Sequence, residues 1–290
     1  MIKKMVLSLA ALIVLLLPAQ APATPLVFQA AGPNAAAIQT AVDAYRTQQG
    51  TLNPNVAGSF GSGRREINWD GVPNNFAAPN NLPANFFNVN SPRGAVFSTP
   101  GSGFQVSANA GVAPIEFDNL NPTYSSIFTP FSAQRLFTAV GSNILDIAFF
   151  VPGSNTPAFV TGFGAIFTDV DLSDSTLIEY FDLNNNLVLS SFVPASPGDG
   201  SLSFFGAFFD GGEQIGRVRI TSGNSALGTN DGGGIDIVAM DDFIYGEPQT
   251  APVPEPATLL LFGSGLAGAA AHLRKRRRKS EAGINARLDV

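Results

Sequence analysis

The residues of this 290-residue chain whose types and spacing could do chemistry are carboxylates: Asp169-Val-Asp171 with Asp174 close behind, and the adjacent pair Asp241-Asp242. Alternate residues of a strand share a face, so Asp169 and Asp171 at a strand end would present their oxygens together, with Asp174 in the next turn. Ca²⁺ takes about six to eight oxygen ligands from carboxylates, backbone carbonyls and water. The expectation is a Ca²⁺ site drawn from Asp169, Asp171, Asp174, Asp241 and Asp242. The plainer alternative is solvated turn carboxylates that close Asx turns.

Asn68-Trp69-Asp70 holds the sole Trp between an amide and a carboxylate. An aromatic ring can stack on a sugar while its polar neighbours bind hydroxyls, which makes these three residues the candidate glycan contact. A part-buried structural Trp is the competing reading. Asp182-Leu-Asn-Asn-Asn186 opens like an EF-hand loop, but Leu187 stands where Gly is required and Val193 where the closing Glu is required, so it reads as a hairpin tip. Asn230-Asp-Gly-Gly-Gly-Ile-Asp236 reads as a mobile loop first and a ligand or metal loop second.

Other chemistry is excluded by composition. The chain has no Cys, and its single His, His272, lies in a terminal apolar run. The body therefore has no Cys nucleophile, no Ser-His-Asp arrangement, no His-containing zinc site and no disulfide. Between residues 24 and 252 there are seven Arg, no Lys and 19 Asp and Glu, a net charge of −12. Such a surface disfavours nucleic acid and attracts divalent cations. A glycosidase would need two carboxylates about 5–9.5 Å apart. Glu66, Glu116, Glu179 and Glu213 join the many Asp as candidates, and spacing selects no pair among them.

The elements that must position these residues are mostly strands. Asn34 as N-cap, Ile38, Ala41, Val42 and Tyr45 at helical spacing, and Gly50 as C-cap predict one amphipathic helix over 35–49, packed on the domain C-terminal to it. Short apolar runs then alternate with turns, at 65–69, 95–98, 104–108, 136–140, 144–151, 158–167, 177–182, 187–193, 202–209, 217–221 and 235–245. Residues 74–92 carry too many breakers for regular structure. The pattern predicts a mainly β fold, an antiparallel β-sandwich or jelly roll over 51–248, with the 24–50 segment ahead of it. Leu202–Phe209 is apolar on both faces and suits a central covered strand, and the 24 Phe read as core.

Both ends carry addresses. Lys3 and Lys4, an apolar run to Leu17 and Ala21-Pro-Ala23 predict a signal peptide over 1–23. At the other end stand a linker over 249–256 that contains Val253, Pro254, Glu255 and Pro256, an apolar run over 257–273, and Arg274, Lys275, Arg276, Arg277, Arg278 and Lys279 within a basic tail over 274–290. The apolar run, as a transmembrane helix, would span about 25 Å against a hydrocarbon core of about 30 Å, with the arginines snorkelling. The basic cluster would stay cytoplasmic, which places the body outside. Gly263-Ser-Gly-Leu-Ala-Gly268 matches a dinucleotide fingerprint but lacks the βαβ unit and the later acidic residue that the motif needs.

The order Val-Pro-Glu-Pro, apolar span, basic cluster resembles the PEP-CTERM sorting signal of Gram-negative bacteria over roughly the last tenth of the chain, with Ser280–Val290 extending past where such signals usually stop. The resemblance implies export, transient anchoring in the inner membrane, recognition of Pro254-Glu255-Pro256 by an exosortase, and release to the cell surface or exopolysaccharide matrix. Ile67–Pro73, Gly162–Asp171 and Ala239–Phe243 make the body similar to the lectin-like β-sandwich ectodomains found ahead of such signals, a likeness that implies a fold and no activity. The expected protein is thus exported and non-enzymatic, with weak carbohydrate or Ca²⁺ binding as a subsidiary property. The alternative is a carboxylate-dependent glycoside hydrolase acting on exopolysaccharide.

Overall fold

The computed structural model describes residues 24–251, 265–270 and 272–275. The chain divides into two units, 1–250 and 251–290. In the second, the described residues 265–270 and 272–275 are helical. Among the described residues no helix is long and apolar enough to cross a membrane. The expected signal peptide over 1–23, the Val253–Pro256 motif, most of the expected span over 257–273 and the basic cluster from Arg276 onward lie outside the described residues.

The first unit is built from β1 (Leu26–Gly32), α1 (Ala35–Gln49), β2 (Arg64–Ile67), α2 (Phe86–Val89), β3 (Ala95–Ser98), β4 (Gly103–Val106), β5 (Phe137–Val140), β6 (Ile144–Phe149), β7 (Gly162–Thr168), β8 (Leu177–Asp182), β9 (Leu187–Phe192), β10 (Leu202–Phe208), β11 (Ile215–Thr221) and β12 (Ala239–Gly246). Seven strands form one sheet in the order β1-β10-β7-β12-β5-β4, with β2 also on β12, and five form the other in the order β3-β6-β11-β8-β9. Every ladder between these strands is antiparallel. The expected antiparallel β-rich body is therefore present.

The inner faces of the two sheets meet in one apolar core that includes Phe97, Phe104, Phe137, Phe149, Phe163, Phe167, Phe205, Phe243 and Tyr245. Each fully buried side chain of this size contributes about 1.5–3 kcal/mol of transfer free energy, so Phe serves here as bulk filler between the sheets. The larger sheet is also covered on its outer face. There α1 presents Ile38, Val42 and Tyr45 to Ile166, Leu202, Phe204 and Ile244. This double cover explains why β7 and β12 are buried along their whole length.

Helix α1 has the predicted bounds because its ends are chemically marked. The Asn34 carboxamide oxygen accepts the N–H of Ala37 at 3.3 Å, and Gly50, at φ 89°, closes the far end. Its close approach depends on small residues beneath it. A Cβ on Gly164 would stand 2.8 Å from Tyr45 Cε1, and one on Gly206 would stand 3.1 Å from the same ring. Tyr45 then donates its hydroxyl to the Ala207 carbonyl at 3.2 Å.

Two features differ from the sequence expectation. Residues 26–32 are not a lead-in to the helix but strand β1, paired to β10 from Leu26↔Phe208 to Gly32↔Leu202. The short α2 lies within the breaker-rich 74–92 segment, with Phe86 and Phe87 buried in the core. The 51–63 loop is pinned rather than free. Arg65 gives Nε and Nη2 to the carboxylate of Glu247 at 2.6 and 2.8 Å inside the protein, and Glu247 also accepts the N–H of Phe60 at 3.2 Å.

The register places β7's last residue, Thr168, beside the first residues of both β10 and β12, Leu202 and Ala239. In the second sheet Leu177 of β8 and Ile144 of β6 both pair with Thr221 of β11. The connections that leave β7, β9 and β11 therefore gather at one end of the sandwich, and that is where the carboxylates cluster.

Candidate metal centre

Asp169 follows directly on β7. Its main-chain N–H donates to the Ser201 carbonyl at 2.9 Å, continuing the β7–β10 pairing by one residue. Its φ of 70° then turns the chain into the left-handed region, which a non-glycine residue adopts at a cost. The side chain has no solvent exposure, and neither carboxylate oxygen has a hydrogen-bond partner. An unpartnered buried carboxylate is expensive. Burial above all, then the charges of Asp171, Asp231, Asp199 and Asp236, pushes its pKa up to about 8.

Asp171 and Asp231 complete a group whose ligand oxygens all lie within 4.8 Å of one another and of Asp169. Asp171 comes from the connection after β7, and its Oδ1 accepts the Gly198 N–H at 2.7 Å. Asp231 comes from the connection between β11 and β12, and its Oδ1 accepts the Ile237 N–H at 3.2 Å. Burial first, offset by that N–H and reinforced by Asp171, raises the Asp231 carboxyl as well.

Asp236 supports the group without joining it. Its two oxygens accept the N–H groups of Asp171 and Leu172, each at 3.2 Å, together with the Ser175 hydroxyl. Asn224 fixes Asp236 in turn by accepting its N–H at 2.9 Å. The turn that carries Asp171 is thus held by outer-shell hydrogen bonds of the kind that orient metal ligands. Three convergent carboxylates with no Cys or His among them form a hard oxygen donor set, suited to Ca²⁺ or Mg²⁺ rather than to zinc or copper. An ion there would give the Asp169 oxygens the partner that the protein does not supply.

Of the expected ligand set, Asp169 and Asp171 are brought together, and Asp174, Asp241 and Asp242 stand elsewhere. Asp174 is exposed and stands apart from the group, because the turn that places Asp171 inward carries Asp174 outward. Asp241 and Asp242 lie at a separate place on β12. Asp241 Oδ2 accepts the N–H groups of Phe131 and Ser132 at 2.6 and 3.2 Å. Asp242 accepts the Ser132 hydroxyl at 2.8 Å and Arg46 Nη2 at 3.0 Å. They tie α1 and the 131–132 segment to the sheet. Asp231 lies in the loop that the sequence offers as a metal loop only in second place, and spacing did not join it to Asp169 and Asp171.

The three residues of the expected glycan contact are placed differently from one another. The Trp69 ring packs inside the sandwich, stacked on Phe137 with centroids 4.1 Å apart and planes 2° from parallel, and edge-on to Phe87 and Phe243. The cavity beside it, about 30 Å³, has room for water but not for a sugar ring. Asn68 remains exposed and donates to Asp70 at 3.2 Å, and Asp70 Oδ1 accepts the Gln134 N–H at 2.9 Å. The apolar neighbours of Trp69 are contributed by distant strands, which local sequence does not reveal.

Among known proteins, the chain matches the model of the PEP-CTERM protein-sorting motif over residues 252–278. That stretch contains Pro254-Glu255-Pro256, the apolar run and the basic cluster up to Arg278. No curated protein matches the chain. The sorting motif implies an exported protein, anchored to the membrane before processing by an exosortase.

Proposed function

We propose that the protein is a non-enzymatic β-sandwich of the cell surface or extracellular matrix, whose body binds Ca²⁺ through Asp169, Asp171 and Asp231. Residues 1–23 act as its signal peptide and 257–273 as a transient transmembrane anchor that the exosortase removes. The observation that carries the calcium reading is Asp169, a fully buried carboxylate with both oxygens unpartnered, facing two further carboxylates. Export supports it, since extracellular calcium modules operate at about 10⁻⁴–10⁻³ M, concentrations met outside the cell.

The non-enzymatic part is supported by how the clustered carboxylates are used. Asp241 and Asp242 are buried against backbone N–H groups and Arg46, and the Asp169 group converges three carboxylates on one point rather than facing a pair of them across a cleft. Binding to exopolysaccharide is a secondary reading, and with Trp69 in the core it falls to exposed polar groups such as Asn68. The test is a thermal melt of the purified protein with Ca²⁺ and with excess EDTA, beside native mass spectrometry. A higher Tm in Ca²⁺ with one retained ion is the expected result. Equal melting curves and no retained ion would remove the calcium reading.

A further inference from the structure

We infer that the ion acts as a clasp: bound between Asp169 and Asp171 on one side and Asp231 on the other, Ca²⁺ fastens the β11–β12 connection to the end of the sandwich. This rests on the calcium reading above. It adds that the ion controls the order of that connection, so that this end of the protein closes only where Ca²⁺ is plentiful, outside the cell.

The tip of the connection is held lightly. Gly232, Gly233 and Gly234 all have positive φ, at 93°, 65° and 91°, and residues 232–235 are exposed. The tip's hydrogen bonds stay within the connection: Gly232 and Ile235 pair with each other, and Asn224 Nδ2 donates to the Gly234 carbonyl at 2.8 Å. Glycine-rich, solvated backbone of this kind opens at low free energy. Asp236 ties the base of the connection to the Asp171–Ser175 turn, and Asp231 brings the tip against the strand end, where it converges on the carboxyls of Asp169 and Asp171. A divalent ion held among the three carboxylates fastens that tip.

The effect should spread one layer further. Leu227 and Ile237 pack with Phe117, Tyr124, Ile127 and Phe128 from the long β4–β5 connection. Tyr124 donates its hydroxyl to the Thr229 carbonyl at 2.7 Å, and Asn121 Nδ2 donates to Asn230 Oδ1 at 2.8 Å. Fastening Asp231 therefore also steadies the 117–128 segment. In a chain without Cys, an ion that cross-links residues about 60 positions apart takes the place a disulfide has in other exported domains.

The experiment is amide hydrogen exchange on the full-length protein in about 1 mM CaCl₂ and in EDTA, with native mass spectrometry on the same samples. The expected result is one retained ion and exchange slowed about tenfold or more at residues 229–237, with smaller slowing at 117–128, as ligand binding suppresses local opening. In Asp231→Asn the Ca²⁺-dependent slowing should disappear while Trp69 fluorescence stays native. Retained Ca²⁺ without slowing at 229–237 would overturn the clasp and leave the site standing. Slowing that persists in Asp231→Asn would overturn the clasp as well. No retained ion would overturn both the clasp and the calcium reading.

Discussion

The indole N–H of Trp69 donates a 2.9 Å hydrogen bond to the main-chain carbonyl of Asp241. At that point β12 carries a bulge between Met240 and Phe243, and its free edge passes from β5, which pairs at Met240, to β2, which pairs from Phe243 onward. A bulge leaves a carbonyl outside the ladder. The indole satisfies it, and the stacked Trp69–Phe137 pair fills the joint between the two short strands.

Trp69→Phe keeps an aromatic ring and removes the donor. The orphaned buried carbonyl should cost about 1–3 kcal/mol. Trp69→Ala also opens a cavity and should cost about 3–5 kcal/mol. Urea unfolding measures both. A Trp69→Phe protein as stable as the parent would show that the joint does not depend on this bond.

Asp241 and Asp242 give an inverted pH dependence. Burial first, then the charge of Asp242, raises Asp241 well above the usual carboxylate range, and burial raises Asp242 against the pull of Ser132 and Arg46. Between the ordinary value of 3.8 and its own raised values, the folded pair thus binds more protons than the unfolded pair. Its contribution is fully present at low pH and is lost as pH rises through the folded values. Asp241→Asn should therefore gain stability relative to the parent as pH rises above the ordinary carboxylate value, where the parent's buried pair is driven to give up its protons. Parallel stability curves for the two proteins in EDTA would contradict this.

Gly164→Ala tests how α1 is seated. The new Cβ would meet Tyr45 Cε1 at 2.8 Å and the Gly206 Cα at 3.0 Å, and Tyr45 is buried with nowhere to swing. Overpacking of this kind costs about 1–3 kcal/mol. Denaturant titration should show that loss, and replacing Tyr45 with Leu in the same chain should recover part of it. An Ala variant as stable as the parent would mean that the helix sits further from the sheet.

How far the sequence could be read depended on whether the signal was local. The bounds of α1 were legible because a cap, an apolar stripe and a terminal glycine lie within 17 residues, and β3 and β8 were legible because turn residues flank them. Strand β1 escaped because it comes directly after the expected signal peptide and runs straight into the helix cap. The predicted strand over 158–167 blurred a crossing between sheets: Val160 bridges to Ile215 of the smaller sheet, while Gly162 begins β7 in the larger. At the candidate metal centre, Asp169 and Asp171 do come together, but not for the expected reason. They converge through a left-handed turn at Asp169, not through strand pleating. Asp231 was seen only as part of a secondary metal loop, because its meeting with Asp169 depends on the antiparallel pairing of β7 and β12. Trp69, Asp241 and Asp242 were read by residue type alone, and the bulge that buries them has no sequence signature at this spacing.

Asp169→Asn should invert the protein's response to calcium. In EDTA near pH 8 the parent bears a buried carboxyl whose pKa stands at about 8, with Asp171 and Asp231 as like-charged neighbours. A carboxyl raised in the folded state erodes stability as pH climbs from its unfolded value of 3.8 toward about 8. The amide removes that charge and offers N–H donors to the same two neighbours, so the metal-free variant should be the more stable protein. In Ca²⁺ the order reverses, because the parent gains about 2.7 kcal/mol when the ion is at a hundredfold its dissociation constant and the variant gains little. Melting both proteins with and without the ion gives four values whose crossing is the diagnostic. A variant that is less stable in EDTA, or that responds to Ca²⁺ as strongly as the parent, would show that Asp169 is buried for packing and not for an ion.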